Sequence, residues 1–172
     1  ELKSNAPSSV MKHLRPLNGK ETSYIASILE KRSVDPEIRS VVNQVSLAEI
    51  KKDIVKLSSY STRLAGTDEN HTALRGVREK LSNFGLTVMQ VCHASKSCSL
   101  VADKKGSHSP NEVIMAMAHI DSVGHKFAGA DDNASGTAAL LEMARVLSQV
   151  DNKKTFRFFV TNGEESGLLG AK

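Results

Sequence analysis

Residues 112–118 (EVIMAMA) form an almost unbroken apolar run, and residues 155–161 (TFRFFVT) form a second. Short runs of this kind read as strands, and a strand without polar alternation predicts cover on both faces. Between them lies 135–150 (SGTAALLEMARVLSQV), with Leu140, Met143, Ala144 and Leu147 at the i, i+3, i+4, i+7 spacing of a helix. Strand, helix, strand at this spacing is a βαβ unit. The chain is therefore of the α/β class, with a mixed, partly parallel sheet covered by helices.

The segments before this unit supply the other elements. Residues 86–92 (LTVMQVC) and 98–103 (CSLVAD) read as strands. Asp35-Pro36 predicts an N-cap and first helical position, opening a helix to about Gln44 with Ile38, Val41, Val42 and Val45 as its apolar stripe. Ser46 and Glu49 have capping-box spacing and open a helix to about Ser59, with Leu47, Ile50, Ile54 and Leu57 on one side. A third helix runs from about Glu69 to Phe84, with Ala73, Leu74, Val77, Leu81 and Phe84 inward, and stops at Gly85. Residues 1–20 are polar and aperiodic, and 21–31 suggest a short helix. The expected division is a tail or linker over 1–34 and one domain portion over 35–172.

Composition narrows the function classes. Apolar residues make up 40% and aromatics 4%, with no Trp, so the core must be aliphatic. The 23 Lys and Arg are interspersed with 19 Asp and Glu. The pairs Lys51-Lys52, Lys104-Lys105 and Lys153-Lys154 are far apart and read as solvated faces or loop tips, not a nucleic-acid surface. No segment approaches the roughly 20 apolar residues of a membrane span. Cys92 and Cys98 bridge if the loop between them joins antiparallel strands in an oxidising compartment; otherwise they are two free thiols.

The chemical side chains follow strand ends. His119-Ile120-Asp121 comes directly after the first apolar strand, Asp131-Asp132-Asn133 precedes the helix, and Gly163-Glu164-Glu165 follows the last strand. In open α/β sheets ligands bind outside the carboxyl ends of the strands. One imidazole and the carboxylates of Asp121, Asp131, Asp132, Glu164 and Glu165 should therefore converge. Carboxylates brought together repel unless a proton or cation compensates. A divalent metal does so and suits the imidazole: zinc, with manganese or cobalt as alternatives. Of the paired glutamates, one can bind metal while its neighbour handles a proton. Each piece alone reads as well as a surface histidine, a helix cap or a solvated loop. Their joint placement carries the argument.

The blocks AHIDSVG (118–124), AGADDNASGTAALLEMARVL (128–147) and FRFFVTNGEESGLLGAK (156–172) resemble the signature blocks of the co-catalytic zinc aminopeptidases. These are the secreted bacterial leucyl aminopeptidase type, related to glutamate carboxypeptidase II and the transferrin receptor. The resemblance covers about 35–172 and is dense over 112–172. It implies a zinc-exopeptidase-like three-layer sandwich and two metal ions. His119 would bind one metal, Asp132 would bridge both through a loop with a cis peptide bond to Asn133, and Glu165 would bind the other. Glu164 would be the general base, Asp121 would orient His119, and Asp131 would be structural. The implied activity is removal of N-terminal residues from peptide substrates, in a secreted or periplasmic protein of undetermined oligomeric state.

The family pattern also requires an Asp and a His downstream of the Glu-Glu pair. This sequence ends at Lys172, so each metal is expected to lack one ligand and the domain to be C-terminally incomplete, a fragment of a longer protein. SGLLGAK reads as the first turn of a helix. His125 reads as a surface loop residue. A carboxypeptidase or dipeptidase relative, or a non-catalytic binding domain, are the competing readings; a glutaminyl-cyclase-like enzyme is disfavoured by the aspartate and glutamate blocks.

Overall fold

The structure, a computed structural model, describes residues 35–94, 97–124, 126 and 129–172. The expected tail, the helix over 21–31 and His125 lie outside the described residues. The body of the structure is the compact unit Ser40–Lys172.

Helix α1 spans Pro36–Val42, α2 Leu47–Ser58, α3 Asp68–Asn83 and α4 Gly136–Leu147; strand β1 spans Thr87–Ala94, β2 Ser97–Lys104, β3 Ser109–His119 and β4 Lys154–Thr161. The sheet order is β1-β2-β4-β3. β1 pairs antiparallel with β2, β2 antiparallel with β4, and β3 parallel with β4. The sheet is thus mixed, and β3-α4-β4 is the parallel unit that the apolar runs predict. Cys92 and Cys98 are direct cross-strand partners and form a disulfide, which settles the two readings of that pair.

The core sits on one face of the sheet. Leu100, Ala102, Ala118, Phe158 and Val160 meet Leu140, Leu141 and Ala144 of α4, Leu74, Val77 and Leu81 of α3, and Leu57 of α2. Among the described residues it is aliphatic around one fully buried aromatic, Phe158. Every residue predicted inward on α3 is buried except Phe84, which is partly so. Each buried Leu there contributes about 1.5–3 kcal/mol. Gly85 ends the helix with φ +80°, the left-handed geometry expected at that position.

Several expectations are corrected. Of the stripe near α1, Ile38, Val42 and Val45 are exposed and Val41 is half-buried, so it is not a buried face among the described residues. Only half of the capping box forms: the Glu49 N–H donates to Ser46 Oγ, but the Ser46 N–H donates to buried Glu142 of α4. A tertiary acceptor has displaced the local one. β3 is an edge strand among the described residues, and Val113, Ile114, Met115 and Met117 are exposed, so it is not covered on both faces here. Among the described residues the helices that build the core pack on one face of the sheet, where α4 returns the chain to β4. Lys104 is half-buried, not a solvated loop tip; its Nζ donates to the carbonyls of Ser148 and Val150 just past α4. Residues 164–172 are a series of turns, not a first helical turn, with Leu168 at φ +62°.

Candidate metal centre

Parallel pairing sets the site. His119 is the last residue of β3 and lies opposite Thr161, the last of β4. The Ile120 N–H donates to the Thr161 carbonyl at 2.9 Å, carrying the ladder one step beyond the strand. The segments after both strands therefore leave the sheet side by side. Between β3 and α4, residues Ala130–Ser135 form a wide turn held by an Ala134 N–H to Gly129 carbonyl bond of 3.0 Å. Asn133 Oδ1 caps α4 by accepting the Gly136 N–H at 2.9 Å. The Asp132–Asn133 peptide bond is cis, as the resemblance implied.

The predicted side chains do meet. His119 Nε2 lies 3.0 Å from Asp132 Oδ1. On the other side of the ring, Nδ1 lies 3.1 Å from the Asp121 carbonyl and 3.5 Å from its Oδ1. Donation from Nδ1–H to the carbonyl turns the Nε2 lone pair toward the carboxylates, as a metal-binding imidazole requires. Asp121 is fully buried, and its Oδ2 accepts the Glu165 N–H at 3.1 Å, so one carboxylate ties the first strand-end segment to the second. His119, Glu164 and Glu165 each offer one ligand atom within 4.8 Å of the others. Asp132, three-quarters exposed, joins through its approach to His119. Asp131 is exposed, and its carbonyl accepts from Ser135 Oγ.

The electrostatics are those of a cation site. Asp121 Oδ1 and Glu165 Oε1 are buried without a hydrogen-bond partner. Burial, then the charges of Asp132 and Glu164, push the Glu165 carboxyl above the usual range. An imidazole lone pair 3.0 Å from a carboxylate oxygen repels it unless a proton or cation intervenes. Mixed imidazole and carboxylate donors fit zinc.

Sequence reasoning missed the polar frame behind these residues. Asn70 and Asn162, both fully buried, exchange amide hydrogen bonds of 3.1 and 2.9 Å. Fully buried Arg63 lies between α2 and α3. Arg63 and Asn162 fall on no apolar period, and Asn70, three and four residues before Ala73 and Leu74, holds a buried α3 position with a polar side chain that an apolar pattern passes over.

Residues 99–172 match the model of peptidase family M28. A probable zinc metalloprotease of Pyrenophora teres is 30% identical over 166 residues, covering 80% of this chain and 34% of the relative. Leucine aminopeptidase 1 of Trichophyton equinum is 30% identical, covering 78% and 41%. The chain thus spans less than half the length of these curated relatives. Among solved structures, LapB of Legionella pneumophila matches with a TM-score of 0.73 at 28% identity, over 80% of this chain and 40% of that one. The glutaminyl cyclase of Porphyromonas gingivalis matches at 0.65 and 23%, over 74% and 51%, a likeness of fold alone.

Proposed function

Since residues 99–172 match the model of peptidase family M28, we propose that the chain's strand-end cluster is the metal-binding and proton-transfer part of a zinc aminopeptidase site. The observation that carries this is the convergence of His119, Glu164 and Glu165 within 4.8 Å, next to Asp132 and with unpartnered buried carboxylate oxygens. His119, Asp132 and Glu165 would hold zinc, with Asp132 shared between two ions. Bound zinc would supply a Lewis acid for the scissile carbonyl and lower the pKa of water.

The chain's own residues have separable tasks. Asp121 fixes the ring of His119 through its backbone carbonyl and the Glu165 backbone through its side chain. Glu164, half-buried beside Glu165, is the group left to take a proton from water and return it to the leaving amine. The names of the relatives favour N-terminal residues of peptides as substrates over the carboxypeptidase, cyclase or non-catalytic readings.

The test is release of p-nitroaniline from leucine p-nitroanilide by the whole protein with zinc added. Glu164→Gln should abolish turnover and keep zinc. Loss of zinc as well would exchange the roles of Glu164 and Glu165, and an inactive wild type that still binds zinc would favour the non-catalytic reading.

A further inference from the structure

Resting on the metal-site reading above, we infer that Arg63 is the positioning residue of the centre: one buried guanidinium ties both the His119–Asp121 segment and the Asp132 turn to the end of α2. Its Nη1–H donates to the Leu57 carbonyl at 2.8 Å, its Nε–H to the Ile120 carbonyl at 2.9 Å, and its Nη2–H to the Gly129 carbonyl at 2.9 Å. Ile120 stands between His119 and Asp121, and Gly129 opens the turn that carries Asp132. Arg63 touches no reacting atom; it acts through these carbonyls.

Its backbone is held just as fully. The Arg63 N–H donates to Ser122 Oγ at 3.0 Å, and its carbonyl accepts from the Ser122 N–H at 3.3 Å and from Asn70 Nδ2 at 2.9 Å. Asn70 in turn pairs with Asn162, two residues before Glu164. All three segments of the site therefore connect to one loop. Space around it is equally specific. A Cβ at Gly129 would lie 2.9 Å from Arg63 Nη2, 2.8 Å from Ser122 Cβ and 2.5 Å from the Asp132 carbonyl oxygen. Only a planar fork of several donors reaches three carbonyls in different directions; a lysine ammonium acts as a point. Burying a guanidinium is unfavourable, and the charge of Asp121 opposes that cost.

The experiment compares wild type, Arg63→Gln and Arg63→Lys, with Arg157→Gln as a control that breaks a bidentate ion pair to Asp103 away from the site. Two quantities are read: amide hydrogen exchange in the metal-free chain, and zinc affinity by calorimetry. Arg63→Gln should speed exchange at the Glu165 and Ala134 amides relative to the β4 amides of Phe158 and Val160, and weaken zinc roughly ten-fold or more. Arg63→Lys should shift both in the same direction, and Arg157→Gln neither. Should Arg63→Gln not fold, the lysine variant decides by the same two readings. Site amides as protected as in wild type, or Arg157→Gln losing zinc equally, would overturn the inference. Wild type that binds no zinc defeats the metal reading, and the exchange data alone then judge Arg63.

Discussion

Replacing Asp121 with Asn changes few atoms and tests the geometry sharply. Asp121 is fully buried; Oδ2 accepts the Glu165 N–H at 3.1 Å and Oδ1 lies 3.5 Å from His119 Nδ1. Both neighbours are donors, and an amide offers only one acceptor between them. Turning a charged acceptor into a neutral one weakens the Glu165 bond by about 1 kcal/mol. Setting an NH2 group against a buried donor costs about 1–3 kcal/mol more. A carboxylate behind the metal-binding groups, here the one that holds the Glu165 backbone and lies beside His119, is worth roughly 10–100-fold in metal affinity, or about 1.4–2.8 kcal/mol. Asp121→Asn should therefore lower the stability of the metal-free chain by about 2–4 kcal/mol in denaturant and raise the zinc Kd roughly 10–100-fold by calorimetry. A zinc Kd within about two-fold of wild type, beside the same stability loss, would refute the claim that the Asp121 carboxylate, holding the Glu165 backbone and lying beside His119, positions the centre; the His119 bond to the Asp121 backbone carbonyl is unchanged by this substitution.

Three other outcomes follow from separate parts of the structure. Gly129→Ala should destabilise by about 1–2 kcal/mol or more and weaken zinc binding, because φ is +52° and the new Cβ meets the Asp132 carbonyl; Gly85→Ala, with φ +80° and open space, should show the strain alone and leave zinc binding intact. The double variant Cys92→Ser/Cys98→Ser opens a small disulfide loop with a sequence separation of 6 and should cost about 2 kcal/mol in denaturant unfolding, an unchanged midpoint being the contrary result. Glu165 is held above its ordinary range by burial and then by Asp132 and Glu164, so the folded metal-free chain binds a proton more readily than the unfolded one. Stability should then fall as pH rises from the ordinary carboxylate range through the raised value, and Glu165→Gln should flatten that slope in thermal melts.

The parts of the fold that were readable share a physical cause. α3 and α4 bury residues at regular spacing, and regular burial is what a linear pattern records. Ser46 shows where that record stops. Its hydroxyl caps α2 locally, as the spacing predicts, while its N–H finds Glu142, 96 residues away, which no spacing encodes. The exposed β3 shows a different limit: apolarity marks a residue suited to burial but does not name the partner that covers it. At the candidate site, the convergence of His119, Glu164 and Glu165 was legible because they sit at or just after strand ends, which parallel pairing brings side by side. Arg63, Asn70 and Asn162 were not, since their value lies in hydrogen bonds to backbone carbonyls and to each other across the fold.

The central claim is that His119 and the neighbouring carboxylates hold zinc, and X-ray absorption at the zinc edge tests it on the bound ion itself. The account predicts one imidazole at about 2.0–2.1 Å with oxygen donors filling the remaining positions, and loss of the imidazole scattering in His119→Ala. A zinc environment without imidazole, or one that His119→Ala leaves unchanged, would contradict it.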